Sequence, residues 1–316
     1  RSKAEQPSGL CATGFASAGM DAPLGALAKP VAHSTSDFPP TFVNPTRNLP
    51  RFDWAIDVRG EIPHAVLMWL SGAKRRIGWD CGGGGFLLTD RADYQSGRHE
   101  VDSRAELLRT MGIEPPEDFA PRFTPPDRAR RRVAERLAQA LASGRPLVAA
   151  HVGAGIPARR WPIKHWRETL RTIIDETDAL IVTPGVASER GVLDRVARGL
   201  PSDRVLNWAG ECDVCELAAL LERADAFVGA DSGPAHLASA VGTPSVVLFS
   251  GTNRPEQWRP RGADVRVLRE PVSCSPCHCS ACPLDEHLCM TRLQPSRVLD
   301  ALLGVLGEHS RGRSSA

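Results

Sequence analysis

Short apolar runs alternate with amphipathic segments through the second half of the chain, and this order predicts alternating strands and helices. The runs with the length and composition of buried strands are 147–152, 179–183, 205–207, 226–229, 245–249 and 265–268. The stretches between them place apolar residues at helical spacing, at 164–174, 189–199, 214–223 and 234–241. Because strands that are apolar throughout belong to sheets covered on both faces, we expect a doubly wound parallel sheet.

The first half of the chain shows this pattern in a shorter and less regular form. Residues 1–50 are rich in Pro, Ser, Gly and Ala without any period, which predicts an irregular or disordered segment. Residues 51–114 predict a partial Rossmann-like domain, with strand and helix candidates at 54–58, 62–70, 76–78 and 103–111. The Pro-rich residues 115–126 predict a linker, and residues 127–316 then form a second domain that begins with an amphipathic helix candidate.

Charge and composition narrow the class of protein. Basic side chains number 39 and acidic side chains 37, and this near balance gives no reason to expect a nucleic-acid partner. No uninterrupted apolar span reaches the ~18 residues of a transmembrane helix, and the N-terminal residues lack an apolar segment of signal-peptide type. The sequence therefore predicts a cytoplasmic protein without a transmembrane segment.

The most informative segment reads Gly-Ala-Asp-Ser-Gly-Pro-Ala-His, at residues 229–236. It follows an apolar strand candidate and opens a helical pattern, with a proline suited to the first helical position. Asp231 or Ser232 can cap the helix, and Gly233 lets a ligand approach the backbone. Free N–H groups and the positive end of the helix dipole would attract a diphosphate, to which His236 could donate a further hydrogen bond. The alternative is that Asp231 and Ser232 only cap a helix.

A second loop follows the strand candidate 147–152. It contains three small residues, Gly153, Ala154 and Gly155. Arg159 or Arg160, a few residues later, could neutralise phosphate charge with a forked donor, or could simply be solvated at a helix start. A cation there would oppose the helix dipole, which favours a bound anion. Ligands of such sheets bind where the strand order reverses, so we expect this loop and residues 229–236 to border one crevice.

In combination, these motifs resemble the heptosyltransferases of glycosyltransferase family 9, over about residues 52–306. In that family a basic residue stands two positions before Trp-Pro, and Arg159 precedes Trp161 in this way. The other matches are Asp231-Ser-Gly-Pro-x-His236, Gly242-Thr-Pro244, the pattern of Phe249 to Pro260, and the ordered cysteines near residue 280.

The resemblance implies a GT-B-like α/β fold with two Rossmann-like doubly wound domains, the N-terminal one incomplete. It implies an inverting transferase that needs no metal, takes ADP-heptose in its C-terminal domain and uses a lipid-linked saccharide of the lipopolysaccharide core as acceptor. It also implies that Glu189 contacts the donor ribose, and it is compatible with a peripheral position at the inner membrane.

The resemblance leaves the catalytic base unassigned. Family members carry an Asp in a loop after their first strand, and residues 1–50 show no such loop. Asp57 is an acid in the matched half, but its place at a strand end predicts a structural hydrogen bond. Two alternatives therefore stay open: a nucleotide-sugar-binding fragment without activity, and a GT-B enzyme with a different donor.

The cysteines support a separate hypothesis. Four of them, in an order that would suit a structural zinc ion, are Cys274, Cys277, Cys282 and Cys289. Their spacing is tighter than that of a usual zinc knuckle, so the alternatives are reduced buried thiols or an adventitious disulfide. Cys212-x-x-Cys215 similarly predicts either a redox pair or ordinary helix capping.

Overall fold

The computed structural model describes residues 52–142, 144–262 and 264–314, with side chains up to residue 307. The prediction for residues 1–50 lies outside the described residues. The described chain divides into two compact units, the first made of residues 52–96 and 102–117 and the second of residues 97–101 and 118–314.

The first unit contains a small parallel sheet in the order β1-β2-β3. Its strands are β1 (Trp54–Ile56), β2 (Arg75–Trp79) and β3 (Asp90–Ala92). Helix α1 (Ile62–Leu70) has the predicted bounds, and α2 (Glu100–Thr110) begins slightly before the predicted start. The sequence analysis missed β3, because Asp-Arg-Ala contains no apolar run.

Two separate clusters of apolar side chains hold the first unit together. Ile77 and Trp79 of β2 share one cluster with Leu107 of α2. Ala65 and Met68 of α1 share the other with Leu88 and their neighbours. The short sheet therefore packs against both of its helices, as expected of a partial Rossmann-like arrangement.

The second unit is built on a six-stranded parallel sheet with the strand order β6-β5-β4-β7-β8-β9. Its strands are β4 (Leu147–His151), β5 (Leu180–Gly185), β6 (Val205–Ala209), β7 (Ala226–Ala230), β8 (Ser245–Phe249) and β9 (Val265–Arg269). Counted from β4, this order is that of the Rossmann fold, in which the connections reverse direction between the first and fourth strands. The predicted doubly wound sheet is confirmed.

Helices cover both faces of this sheet. They are α3 (Asp127–Leu137), α4 (Ile163–Glu176), α5 (Arg190–Ala197), α6 (Val214–Arg223), α7 (Gly233–Ala240), α8 (Pro255–Trp258), α9 (Leu288–Thr291) and α10 (Pro295–Ser314). Alternate residues of β4 belong to different clusters: Val148 packs with Trp166 of α4, and Ala149 packs with Leu220 of α6. Because neighbouring side chains of a strand point to opposite faces, the two clusters are the two faces of the sheet.

Helix α6 shows why the Cys212-x-x-Cys215 pair stands where it does. Asp213 caps the helix by accepting the Glu216 N–H at 2.8 Å, and the Glu216 carboxylate accepts the Asp213 N–H at 3.2 Å. This reciprocal capping box fixes the helix start. Burial raises the pKa of the Cys212 thiol to about 11, which disfavours the thiolate that redox exchange requires. The capping box accounts for the helix start without a redox role for the two cysteines.

Among the described residues, no helix combines the length and the apolar character that crossing a bilayer requires.

Candidate functional site

The central feature of the second unit is the pairing of β4 with β7. The two strands run parallel, with His151 opposite Gly229. Strand β5 flanks β4 on its other side, and β8 flanks β7 on its other side. The loops that leave the carboxyl ends of β4 and β7 therefore start side by side at the switch point, as predicted.

Asp231, directly after β7, is the buried centre of a polar network between these loops. Its side chain is 4% exposed, and its Oδ2 lies 3.3 Å from Nη1 of Arg159. The same Nη1 donates to the Asp231 carbonyl at 3.1 Å, and Asn253 Nδ2 donates to Oδ2 at 3.3 Å. The anion that balances Arg159 is thus the Asp231 carboxylate, whereas the sequence argument expected a bound anion in that role.

Hydrogen bonds hold the guanidinium of Arg159 through its Nε and Nη1 atoms. Its Nε donates to Thr252 Oγ1 at 3.4 Å, and its Nη1 is taken by Asp231. Within the described residues, Nη2 of Arg159 has no hydrogen-bond partner. Asp231 and Thr252 therefore fix the orientation of the guanidinium and leave two of its N–H groups for a ligand. Arg160, the other sequence candidate, is exposed.

The segment before α7 differs from the predicted capping arrangement. Ser232 is the N-cap residue, but its side chain makes no capping hydrogen bond. Its hydroxyl donates instead to the Ala230 carbonyl at 3.0 Å and lies 3.5 Å from Nδ1 of His151. The prediction that Asp231 or Ser232 caps the helix is wrong, because both side chains are engaged elsewhere. Pro234 takes the second helical position, since the helix begins at Gly233.

This arrangement exposes a main-chain donor at the start of α7. The N–H groups of Ala235 and His236 bond to the Ser232 carbonyl at 3.1 and 3.4 Å, and Pro234 has no N–H. In the described part of the chain, the Gly233 N–H has no hydrogen-bond partner. Gly233 is exposed, and a Cβ atom built on it would meet nothing within 4 Å, so the space on the side-chain side of this residue is open. An unpaired donor at the positive end of a helix is suited to an anionic ligand.

His236 lies one turn into α7 at the edge of the same network. Its side chain is 44% exposed, and Nε2 lies 3.8 Å from Oδ1 of Asp231. This places an imidazole nitrogen beside the Asp231 carboxylate and partly in solvent, where it could donate to a ligand.

Glu189 lies beside β4, at the end of the 3₁₀ turn Ala187–Glu189 that follows β5. Its Oε2 accepts the Val186 N–H at 2.9 Å. The carboxylate also lies against Gly153, since a Cβ atom there would be 1.8 Å from Oε1. Of the small residues in this loop, Gly153 and Ala154 are buried and Gly155 is exposed with open space around it. Gly153 is therefore required for a steric reason, since a side chain at this position would overlap the Glu189 carboxylate.

His151 joins this group although the sequence analysis gave it no role. Its Nε2 lies 4.0 Å from Glu189 Oε2, while Nδ1 faces the Ser232 hydroxyl. Burial lowers the pKa of His151, and the Glu189 charge opposes this effect only in part. His151 could have been identified in the sequence as a titratable residue at the end of an otherwise apolar strand. Thr252 and Asn253 were also missed, because the Phe249 to Pro260 motif assigned no contacts.

A cavity of about 510 Å³ lies elsewhere in the second unit, at the amino ends of β4 and β7. Arg130, Leu147 and Asp225 line it. The Arg130 guanidinium is already bonded to both Glu222 oxygens at 2.7 Å. Parallel α/β sheets bind ligands at the carboxyl ends of their strands, so we place the functional site at the switch point.

Asp57, a sequence candidate outside this site, has a structural role. Asp57 accepts the Arg59 and Gly60 N–H groups at 2.9 Å and lies 3.1 Å from Nδ1 of His64, as its position at the end of a strand predicted.

In the cysteine-rich segment, the described residues bring no three His, Cys, Asp or Glu side chains into a metal-holding group. Its described cysteines are free thiols. The neighbouring Cys277 is the main cause that raises the pKa of Cys279.

Comparisons with known proteins agree with this architecture. The sequence profile of glycosyltransferase family 9 (heptosyltransferase) matches residues 48–288. Lipopolysaccharide heptosyltransferase 1 of Pseudomonas aeruginosa is 31% identical over 186 residues, 54% of this chain and 51% of that protein. Lipopolysaccharide heptosyltransferase 2 of Salmonella typhimurium is 29% identical over 172 residues, 53% of this chain and 49% of that protein. The chain thus spans about half the length of the curated relatives it matches.

Solved structures show the same fold. The Escherichia coli ADP-heptose lps heptosyltransferase II aligns with a TM-score of 0.66 at 23% identity, over 82% of this chain and 78% of that one. An E. coli heptosyltransferase with ADP aligns with a TM-score of 0.59 at 18% identity, over 82% and 73% of the two chains. The α/β, GT-B-like fold is therefore confirmed. With a family profile that covers both described units and the expected strand order in the second, the chain belongs to glycosyltransferase family 9, the heptosyltransferases.

Proposed function

We propose that this chain acts as an inverting glycosyltransferase, with a nucleotide-diphosphate sugar as donor and a saccharide of the lipopolysaccharide core type as acceptor. ADP-heptose is the proposed donor. The curated relatives are heptosyltransferases, and the two similar E. coli structures are an ADP-heptose lps heptosyltransferase and a heptosyltransferase with ADP.

The observation that carries the proposal is the pair of donors at the switch point. Gly233 is exposed at the start of α7 with open space on its side-chain side, and Arg159 is fixed by its contacts with Asp231, two residues before that glycine. Two phosphate groups need several N–H donors and positive charge, and this pair supplies both. The diphosphate would accept hydrogen bonds from the Gly233 amide and from Nη2 of Arg159.

The same groups would assist the departure of the nucleotide. Negative charge grows on the diphosphate as its bond to the sugar breaks, and fixed donors stabilise this charge without reorganising during the reaction. His236 would donate from the first turn of α7 as the charge develops. Glu189 would accept from a ribose hydroxyl with its carboxylate, which the Val186 amide already orients at 2.9 Å. In the loop after β4, Gly153 leaves room for the Glu189 carboxylate, and the exposed Gly155 beyond Ala154 would let the nucleotide approach the backbone.

The acceptor side of the reaction has no assigned base. Asp57 is a buried acid of the first unit, and it already accepts two backbone N–H groups at 2.9 Å. Both oxygens of its carboxylate are therefore engaged in local hydrogen bonds. This favours, as a second candidate function, nucleotide-sugar binding without turnover.

Calorimetric titration with ADP tests the proposed pocket. We expect Asp231→Ala and His236→Ala to weaken ADP binding relative to the unaltered chain, since the first frees the Arg159 side chain and the second removes a donor. Unchanged affinity in both variants would refute the pocket.

A second measurement separates the two candidate functions. The chain is incubated with ADP-heptose and a core-type acceptor, and the release of ADP is followed over time. Acceptor-dependent release supports the transferase. ADP binding without any release above the acceptor-free control supports the binding function.

A further inference from the structure

The cysteine-rich loop (residues 270–287), between β9 and α9, packs against both segments that hold Arg159. It contains four cysteines, Cys274, Cys277, Cys279 and Cys282. The described residues form no metal-holding group in this loop. The hydrogen bonds of the loop indicate a different role.

The first set of contacts reaches the turn that carries Arg159. This 3₁₀ turn, Pro157–Arg159, has the buried Ala158 at its centre. The Ala158 N–H donates to the Ser280 carbonyl at 3.0 Å, and the Ala158 carbonyl accepts from Nε2 of His287 at 3.0 Å. Both backbone polar groups of the residue before Arg159 are thus bonded to this one loop, at Ser280 and at its last residue, His287.

The second set reaches the segment after β8. The Cys277 N–H donates to the Gly251 carbonyl at 2.9 Å, and the His278 N–H donates to the Thr252 carbonyl at 3.2 Å. The Thr252 hydroxyl in turn accepts from Nε of Arg159 and lies 2.9 Å from the Ser250 hydroxyl. The loop therefore bonds both to the turn that carries Arg159 and to the segment that carries Thr252, whose hydroxyl accepts from Arg159 Nε.

We propose that the cysteine-rich loop is a brace that positions Arg159 for the diphosphate, with His287 as the positioning residue. This inference rests on the proposed function, since it assigns Arg159 to the nucleotide. The His287 side chain contributes the bond that can be removed without changing the backbone. Without it, the turn keeps a single bond to the loop, and the guanidinium loses its fixed approach to the phosphates.

The test compares the ADP affinity of the full chain with that of His287→Ala and His287→Gln. Alanine removes the donor, and we expect ADP binding to weaken by about fivefold to tenfold, as for the loss of one oriented hydrogen bond. Glutamine restores an N–H donor at a similar distance from the backbone, and we expect affinity within about twofold of the original. A simple loss of packing would not be rescued in this way.

A double variant shows whether His287 acts through Arg159. If it does, adding His287→Ala to Arg159→Ala causes no further loss of ADP affinity, because the group that it positions is already gone. His278→Asn serves as the control. His278 is an imidazole of the same loop with a φ of 54°, a conformation that Asn tolerates, and its backbone N–H makes the contact. We expect this control to leave affinity unchanged.

The outcomes separate the brace from the pocket. If Arg159→Ala weakens ADP binding while His287→Ala does not, the brace is overturned and the pocket stands. Losses from Arg159→Ala and His287→Ala that multiply in the double variant also overturn the brace. If Arg159→Ala itself leaves ADP affinity unchanged, Arg159 has no role in the pocket and the brace falls with it.

Discussion

Gly153 and Glu189 lie so close together that a Cβ atom on the glycine would be 1.8 Å from Oε1 of the glutamate. Gly153→Ala must therefore displace the carboxylate that is proposed to meet the donor ribose. We expect ADP affinity to fall by about tenfold, as for the loss of one charged hydrogen bond. Calorimetric titration measures this directly.

A matched control for this prediction is Gly191→Ala. Gly191 lies in α5 shortly after Glu189, and a Cβ atom there would meet nothing within 4 Å. Alanine in a helix is at least as favourable as glycine, so we expect neither affinity nor stability to decrease. A similar loss of affinity in both variants would contradict the steric explanation.

Removing the charge of Asp231 should destabilise the second unit. Asp231→Asn leaves the Arg159 guanidinium, whose side chain is 24% exposed, without its balancing carboxylate. We expect the free energy of unfolding in urea to fall by about 1–3 kcal/mol. The control is Asp178→Asn, which removes a pair 3.7 Å long with Arg204 whose acid is 73% exposed. There we expect a change below about 0.5 kcal/mol, and equal losses would contradict a special role of the buried pair.

Stability should decrease as the solution becomes acidic, in part through His151. Burial lowers the pKa of His151 in the folded chain, so the unfolded chain takes up this proton first. The stabilising contribution is therefore complete above the unfolded pKa of about 6.5 and is lost as the pH falls below it. Urea unfolding at several pH values measures the slope, to which one histidine contributes up to about 1.4 kcal/mol per pH unit.

His151→Gln identifies the source of this slope. Burial also lowers the pKa of His165 and of His287, so part of the acid sensitivity should persist in the variant. We expect the slope below pH 6.5 to be smaller than in the unaltered chain. An identical slope would show that His151 does not contribute.

Cysteine alkylation should separate the buried thiols from the exposed ones. Burial raises the pKa of Cys212 to about 11, whereas Cys274 is exposed. Because the thiolate is the reacting form, iodoacetamide at pH 8 should label Cys274 well before Cys212. Mass spectrometry of timed samples measures the order, and the urea-unfolded chain should label both at similar rates. Equal labelling of the folded chain would contradict the buried environment of Cys212.

The sequence predicted the second unit better than the first because its strands are continuous apolar runs, such as Val246 to Phe249. Strand β3 was missed because its three residues carry Asp90 and Arg91, which follow no apolar pattern. Helix α8, only four residues long, was missed for lack of a period.

Within the site, the sequence indicated which loops meet but not how their side chains pair. Arg159 and Asp231 were both recognised as candidates, yet they are 72 residues apart in the chain. The pattern therefore could not show that one neutralises the other. The position of the Ser232 hydroxyl was equally hidden, because a β-region N-cap residue can turn its side chain either forward to the helix or back to the strand.

The parallel pairing of β4 with β7 also has a kinetic consequence. The strand register places Ala150 beside Val228, so the two halves of the proposed nucleotide site meet only after a long intervening segment has been enclosed. Contacts between distant parts of a chain are slow to form, because the loop between them must first be closed. At the proposed site, a chain emerging from the ribosome would thus acquire affinity for ADP late, once α7 and the segment after β8 have been synthesised, and nucleotide capture would report the docking of β7 and β8 beside β4.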